Sequence, residues 1–203
     1  MPAMRSAQIQ PIASDSQPIL AAAPAGGRTA RLEVSVLAED DITALARQLW
    51  HEAVYRHIGG LPPAVSGVED WLRRTLEGPP SGEPPQRWLN YALRRQDSAE
   101  YAGLLQATLH DGIAEVAYLL APAQWGQGLG GEALRWLHGE LARVSPGTPC
   151  WATTLPANER SWRLLERCGY ARVAPTLAPV LMTFEPGDWV FRRLGPAEGG
   201  PRA

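Results

Sequence analysis

The stretch EVAYLLAPAQWGQGLGGEALRWLHGELAR, from Glu115 to Arg143, decides the fold. It opens with an apolar run, Glu115 to Leu120. Pro122 then ends any strand, because proline has no N–H for a ladder. Trp125-Gly126-Gln127-Gly128-Leu129-Gly130-Gly131 follows, and Leu129, Ala133, Trp136, Leu137 and Leu141 recur at helical steps. A strand, a glycine-rich loop and a helix start in that order predict an anion site. Glycines let the backbone approach a ligand, and successive N–H groups form a concave nest with the helix N-terminus behind it. A phosphate or pyrophosphate is the expected guest.

On the N-terminal side, Asp111-Gly112 is a tight-turn signal that joins Glu115–Leu120 to a preceding strand, Tyr101 to Leu109. Trp88 to Leu93 reads as that strand's hairpin partner. Further back, Gly78 to Pro85 is a Pro/Gly loop. Ser66-Gly67-Val68-Glu69 has capping-box spacing for a helix carrying Val68, Trp71, Leu72 and Leu76. Asp40 or Asp41 can cap an earlier helix, with Ile42, Leu45, Ala46, Leu49 and Ala53 as its stripe, running to about Arg56. Arg31 to Leu37 alternates as a first strand. Residues 1–30 lack periodicity and read as a disordered arm, so the domain is placed at 31–195, with a Gly/Pro-rich flexible tail at 196–203.

On the C-terminal side, Pro146-Gly147 breaks the chain and Cys150 to Leu155 is a short strand. Asn158 leads a helix from Glu159 to Arg167, which Gly169 closes in the left-handed region. Tyr170–Val173, Val180–Phe184 and Trp189–Leu194 read as closing strands. With no long βαβ series and no repeat, the pattern predicts an α/β (α+β) domain: a mixed, mostly antiparallel twisted sheet flanked by helices.

The composition narrows the function. The chain has 203 residues, is 45% apolar and carries a net charge of −2, which gives a nucleic-acid partner no global support. All nineteen basic residues are arginine. Two cysteines, Cys150 and Cys168, are too few for a disulfide scaffold and read as reduced thiols in a cytoplasmic protein. No apolar stretch is long enough to span a bilayer, and Ile19–Ala23 lacks the flanks of a signal peptide. His51, His57, His110 and His138 show no ligand spacing, so no metal is expected.

Gly126 to Gly131 formally matches G-x-G-x-x-G. A dinucleotide fold would place that loop directly after the first strand of a parallel sheet, with an acidic residue after the next strand. Here four residues separate loop and strand, and Cys150–Leu155 carries no carboxylate. No Gly-Lys-Ser/Thr is present, which excludes a P-loop.

The stretch does resemble the acetyl-CoA-binding motif of the GNAT N-acetyltransferase superfamily, Arg/Gln-x-x-Gly-x-Gly/Ala. Trp125 departs from the usual Arg or Gln. The form Trp-Gly-x-Gly followed by Glu132-Ala133 is similar to the RimJ/RimL branch. Asn158-Glu159-Arg160-Ser161 through Gly169-Tyr170 resembles the family's second motif, Asn-x-x-Ser…Gly-Phe/Tyr. The resemblance covers about Leu32 to Leu194.

It implies acetyl transfer from acetyl-CoA to an amine by direct attack in a ternary complex, with no metal. It assigns the pyrophosphate to Trp125, Gly126, Gln127, Gly128, Leu129, Gly130 and Gly131. It assigns the pantetheine to the strand end Tyr118, Leu119 and Leu120 and to Asn158, which is also a natural helix N-cap. Glu115 is the candidate base, its other reading being a solvated carboxylate beside the turn. Ser161 is the candidate acid, since Leu165 stands where many members carry a tyrosine; its other reading is a first-turn serine bonded to backbone. Tyr55 and His57 lie where such enzymes admit the acceptor. A protein N-terminal amine, an aminoglycoside, a polyamine or an amino-acid-like metabolite all remain open as acceptor, as do monomer and homodimer. The reading from another class is a non-catalytic acyl-CoA-binding sensor or interaction module.

Overall fold

A computed structural model describes residues 20–80 and 85–195. The chain runs β1 (Gly27–Arg28), β2 (Leu32–Val36), α1 (Ile42–Leu49), α2 (Glu52–Tyr55), α3 (Val65–Glu77), β3 (Arg87–Arg95), β4 (Tyr101–His110), β5 (Ile113–Leu120), α4 (Leu129–Val144), β6 (Cys150–Thr154), α5 (Glu159–Arg167), β7 (Tyr170–Val173) and β8 (Trp189–Arg193). The strands form one sheet in the order β1-β2-β3-β4-β5-β6-β8-β7. Every pairing is antiparallel except β5 with β6. Among the described residues, no helix is long and apolar enough to cross a membrane.

Each sheet face buries its own helices. Alternate strand residues Leu105, Ala107, Ala114 and Val116 pack with Leu129, Ala133, Leu134 and Leu137 of α4 and Leu165 of α5. Ala92 and Leu104 pack on the opposite face with Ile42, Leu45 and Leu49 of α1 and Val68 and Leu72 of α3. A smaller cluster, Ile113, Trp151, Leu181 and Val190, lies under the connection from β7 to β8. The Asp111-Gly112 hairpin joins β4 to β5 in the expected register.

Three local expectations differ. The first helix does not run to Arg56. It ends at Leu49, where Trp50 turns out and its indole N–H donates to the Pro62 carbonyl (3.0 Å). His51 then caps a separate short helix, its Nδ1 accepting from the Ala53 N–H. The next helix starts at Val65 behind Ala64, so Ser66 lies inside it and makes no capping box. The stretch 180–184 is not a strand, because the Met182 and Thr183 N–H groups a ladder would use are taken by the Glu115 carboxylate.

Residues 20–30, expected to belong to a disordered arm, instead run along α4. The Ala21 N–H donates to the Val144 carbonyl, the Ala25 N–H to Glu140 Oε1, and Gly27–Arg28 pair with Glu33–Val34. Thr29 Oγ1 and the Arg31 N–H both donate to Glu132 Oε1. Burial alone would raise the Glu132 carboxyl; these bonds outweigh it and hold the group below the usual carboxylate range. The remainder of that arm and the tail from 196 lie outside the described residues.

The β4–β5 pair tolerates no side chain at Gly103, where an added Cβ would run into the Leu119 carbonyl oxygen, a backbone atom that cannot swing away. Gly103→Ala is expected to cost about 1–3 kcal/mol, read as a lower denaturant midpoint at unchanged m-value.

Candidate active site

β5 and β6 are paired over two positions only, Ala114↔Cys150 and Glu115↔Trp151. The Ala114 N–H donates to the Pro149 carbonyl (3.0 Å). Strand alternation turns the main-chain groups of Val116, Tyr118 and Leu120 the same way. β6 offers them no ladder partner: its pairs with β5 stop at Glu115↔Trp151, while its other edge stays paired with β8. The sheet therefore opens a wedge along the second half of β5. The Leu120 carbonyl is taken by the Trp125 indole N–H (2.8 Å), which ties the glycine loop to the end of the strand.

The loop crosses the mouth of that wedge. Gly126 and Gly128 have φ of +75° and +79°, and Gly128 is the left-handed N-cap of α4. No side chain caps the helix, so the first-turn N–H groups of Leu129, Gly130 and Gly131 stay available to an outside acceptor. Space around Gly126 is open, whereas a Cβ on Gly130 would lie 2.5 Å from Leu164 Cδ1 and 3.0 Å from Leu120 Cδ1. Gly130 thus permits close packing of α4 on α5. Gln127 faces away from the nest: Arg31 Nη1 donates to its carbonyl, Arg95 Nη1 to its Oε1, and its own amide to the Ala123 carbonyl. Arg160 lies over the Trp125 ring at 4.7 Å. This cradle fits a pyrophosphate, and the wedge behind it fits an extended chain of amides.

Asn158 is the N-cap of α5, its Oδ1 accepting from the Ser161 N–H at 3.4 Å. Ser161 is the third residue of the helix. Its hydroxyl is 3.0 Å from the Tyr118 hydroxyl, which is also 3.1 Å from the Ser161 carbonyl. Burial pushes the Tyr118 phenol far up, and the bond to Ser161 offsets only part of this, so the hydroxyl keeps its proton. The family resemblance assigns only the main chain of Tyr118. Its side chain was missed because nothing local links residues 118 and 161; strand alternation pointing Tyr118 toward the helix face was the one usable signal.

Glu115 is not a solvated carboxylate. It is 3% exposed. Oε1 accepts from His110 Nε2 (2.5 Å) and the Met182 N–H (2.6 Å), and Oε2 from the Thr183 N–H (3.1 Å) and the Thr183 hydroxyl. With both oxygens engaged, the group acts as a tether for the β7–β8 connection. This environment argues against the base role expected of it.

Leu165 is fully buried in the core. Burial pushes the Cys150 thiol up to about 11, which disfavours a thiolate nucleophile. His138 is held neutral, lowered by burial and by Arg193 and Arg135 to about 3, and bonds the Tyr170 hydroxyl at 2.9 Å. Tyr55 is buried, and its hydroxyl has no partner among the described residues. Among the described residues no group of His, Cys, Asp and Glu is arranged to hold a metal ion.

The sequence pattern of the acetyltransferase (GNAT) domain matches residues 31–171, well over half of the chain. No curated protein matches the chain in sequence. Among solved structures, a GNAT-family acetyltransferase from Bacillus anthracis superposes with a TM-score of 0.64 at 15% identity, covering 83% of this chain and 98% of that one. The aminoglycoside acetyltransferase AAC(6')-Ib in complex with coenzyme A gives 0.61 at 21% identity, covering 79% and 92%. RimL, a ribosomal L7/L12 alpha-N-protein acetyltransferase in complex with coenzyme A, gives 0.62 at 16% identity, covering 81% and 93%. At these identities the structural likenesses speak for the fold, and the domain match speaks for the family. The chain belongs to the GNAT acetyltransferase family.

Proposed function

We propose that the protein is an acetyl-CoA-dependent N-acetyltransferase that passes the acetyl group directly from the thioester to an amine. The observation that carries this reading is the wedge between β5 and β6, opening directly onto a glycine nest. In it, the N–H groups of residues 126–131 hold the pyrophosphate, and the main-chain groups of Tyr118 and the Leu120 N–H pair with the pantetheine amides. A main-chain N–H facing the wedge supports the negative charge that develops on the carbonyl oxygen. The amine nitrogen bonds to the carbonyl carbon, the carbon–sulfur bond breaks, and the thiolate leaves with a proton.

Ser161 relays that proton, taking one from water as it gives its own to the sulfur, and Tyr118 decides when it can. The Tyr118 hydroxyl has one proton. Given to the Ser161 carbonyl, it leaves the serine donating back to Tyr118. Given to Ser161 Oγ, it releases the serine proton toward a third partner. Glu115, with both oxygens occupied, leaves the amine to enter already neutral and to lose its second proton to water.

The alternative is a coenzyme A-binding module without turnover. It draws on two observations, the tethered Glu115 and the apolar Leu165. Coenzyme A and an amine panel separate the two: stabilisation by coenzyme A with thiol release on an amine supports the enzyme, and stabilisation without turnover on any amine supports the module.

Gly128→Glu puts a carboxylate into the nest at a left-handed position, costing about 1 kcal/mol of stability. It is expected to abolish the thermal shift produced by coenzyme A; a variant that keeps the shift would show the nest to be misassigned. Ser161→Ala should lower kcat by about 100-fold, and Tyr118→Phe by a smaller factor that vanishes in the Ser161→Ala background. Additive losses in the double variant would break the proposed link. Glu115→Gln presents an amide N–H₂ to donors and should cost about 1–3 kcal/mol of stability, while the pH profile of kcat/KM keeps its shape. Loss of the alkaline rise in that profile would instead restore Glu115 as the base.

A further inference from the structure

Among the described residues, the face of the sheet that carries α1 and α3 is not covered continuously. The registers place Asn90, Gln106 and Ala117 in one row across β3, β4 and β5. Trp88, Thr108 and Glu115 form the next row, which Trp151 extends onto β6. Asn90 marks one edge of the strip, its amide donating to the Thr75 carbonyl in the last turn of α3 (3.1 Å). Glu115 marks the other, holding Met182 and Thr183 down on the sheet. Thr153 on β6 closes that side through its bond to the Thr183 carbonyl (3.0 Å).

Between these edges β4 shows its open positions. Gln106 and Thr108 are half-buried while the residues on either side of each are buried, and Ala117 is exposed on β5. Ala117 lies past the last β5–β6 pair, beside Tyr118, so the strip leads into the wedge.

The strip, bounded by Trp88, Asn90, Gln106, Thr108, Ala117 and Thr153, is polar and carries no carboxylate. The Gln106 amide donates to Asn90 Oδ1 (2.7 Å). That bond uses the donor end and leaves Gln106 Oε1 as an acceptor with no partner among the described residues. Met182, 45% exposed, stands at the rim. Glu115, in the adjoining row, is buried with four donors.

We propose that this strip receives the acceptor, and that the acceptor is a peptide-type α-amine on an otherwise uncharged, amide-bearing scaffold, with Gln106 as the specificity-determining residue. The proposal rests on the acetyl-transfer reading. Gln106 Oε1 accepts an amide N–H of the acceptor next to the reacting amine. A polycation would bring several ammonium groups against carboxamides, a hydroxyl and an indole, with no counter-charge for their desolvation.

The occupied state of Glu115 points the same way. Without a base, only the neutral fraction of the amine reacts. At pH 7.5 that fraction is about a third for an α-amine and about 0.1% for a lysine-type alkylamine.

The test measures thiol release from acetyl-CoA with an uncharged tripeptide amide, spermidine and an aminoglycoside, using the full chain. The tripeptide should exceed spermidine in kcat/KM by about 100-fold at pH 7.5, and the aminoglycoside should also fall below the tripeptide. Gln106→Ala should raise its KM about tenfold and leave the thermal shift by coenzyme A unchanged, which also confirms that the variant folds. Gln106→Glu should narrow the gap between spermidine and the tripeptide. Spermidine or the aminoglycoside turned over as well as the tripeptide would overturn the acceptor class and leave acetyl transfer standing. A tripeptide KM unmoved in a folded Gln106→Ala protein would overturn the role of Gln106. No turnover on any of the three would remove the acetyl-transfer reading and this proposal together.

Discussion

The structure turns on how briefly β5 and β6 stay together. Two paired positions, at Ala114 and Glu115, are enough to align the strands and few enough to let them part. A longer ladder would satisfy Val116, Tyr118 and Leu120 within the sheet and close the wedge. β6 is free to diverge because β8 takes its other edge over four positions, Trp151 through Thr154. The main-chain groups left open on β5 are a cost to the isolated fold, and a ligand that carries amides can repay it.

The glycine loop depends on the same constraint. It can grip the far end of a ligand only if it stays fixed to the wedge. Three attachments do this. The Trp125 indole holds the Leu120 carbonyl, the Arg31 and Arg95 guanidinium groups hold Gln127, and Gly130 lets α4 press against Leu164 and Leu120. Arg31 is in turn braced by Glu132. Preorganisation of this kind lowers the ordering cost of binding and leaves the loop N–H groups aimed outward.

Across the wedge the chain separates two tasks. Tyr118 and Ser161 meet on the α5 side, where a leaving sulfur would need a proton. Gln106, Asn90 and Thr108 lie on the α1–α3 side, where an acceptor can approach. Glu115 holds the β7–β8 connection beside that approach. Its buried bonds make it a positioning group for the wall, and its partners come from His110 and from residues 67 and 68 positions away.

Much was legible in sequence because it is local. Apolar periodicity marked α4 and α5, Asp111-Gly112 marked the hairpin, and clustered glycines between a strand and a helix marked the nest. The first helix was read too long because the periodic stripe reaches Ala53, while the break is made by Trp50 bonding to Pro62 and by the His51 cap. The false strand at 180–184 has strand-like composition, but its N–H groups belong to a carboxylate far back in the chain. Residues 20–30 look featureless, and their order comes from Glu132, Glu140, Arg143 and Val144 of α4 together with pairing to β2.

The sequence by itself determined most of the element types, the glycine loop at the start of α4 and the two motifs of the family resemblance, since each rests on spacing within a dozen or so residues. Tertiary structure alone decided which groups are spent and which remain available. It took Glu115 out of solvent, joined Tyr118 to Ser161, and set Gln106 in an open strip of the sheet. Those outcomes depend on strand register and on contacts between distant segments, and no local pattern encodes them.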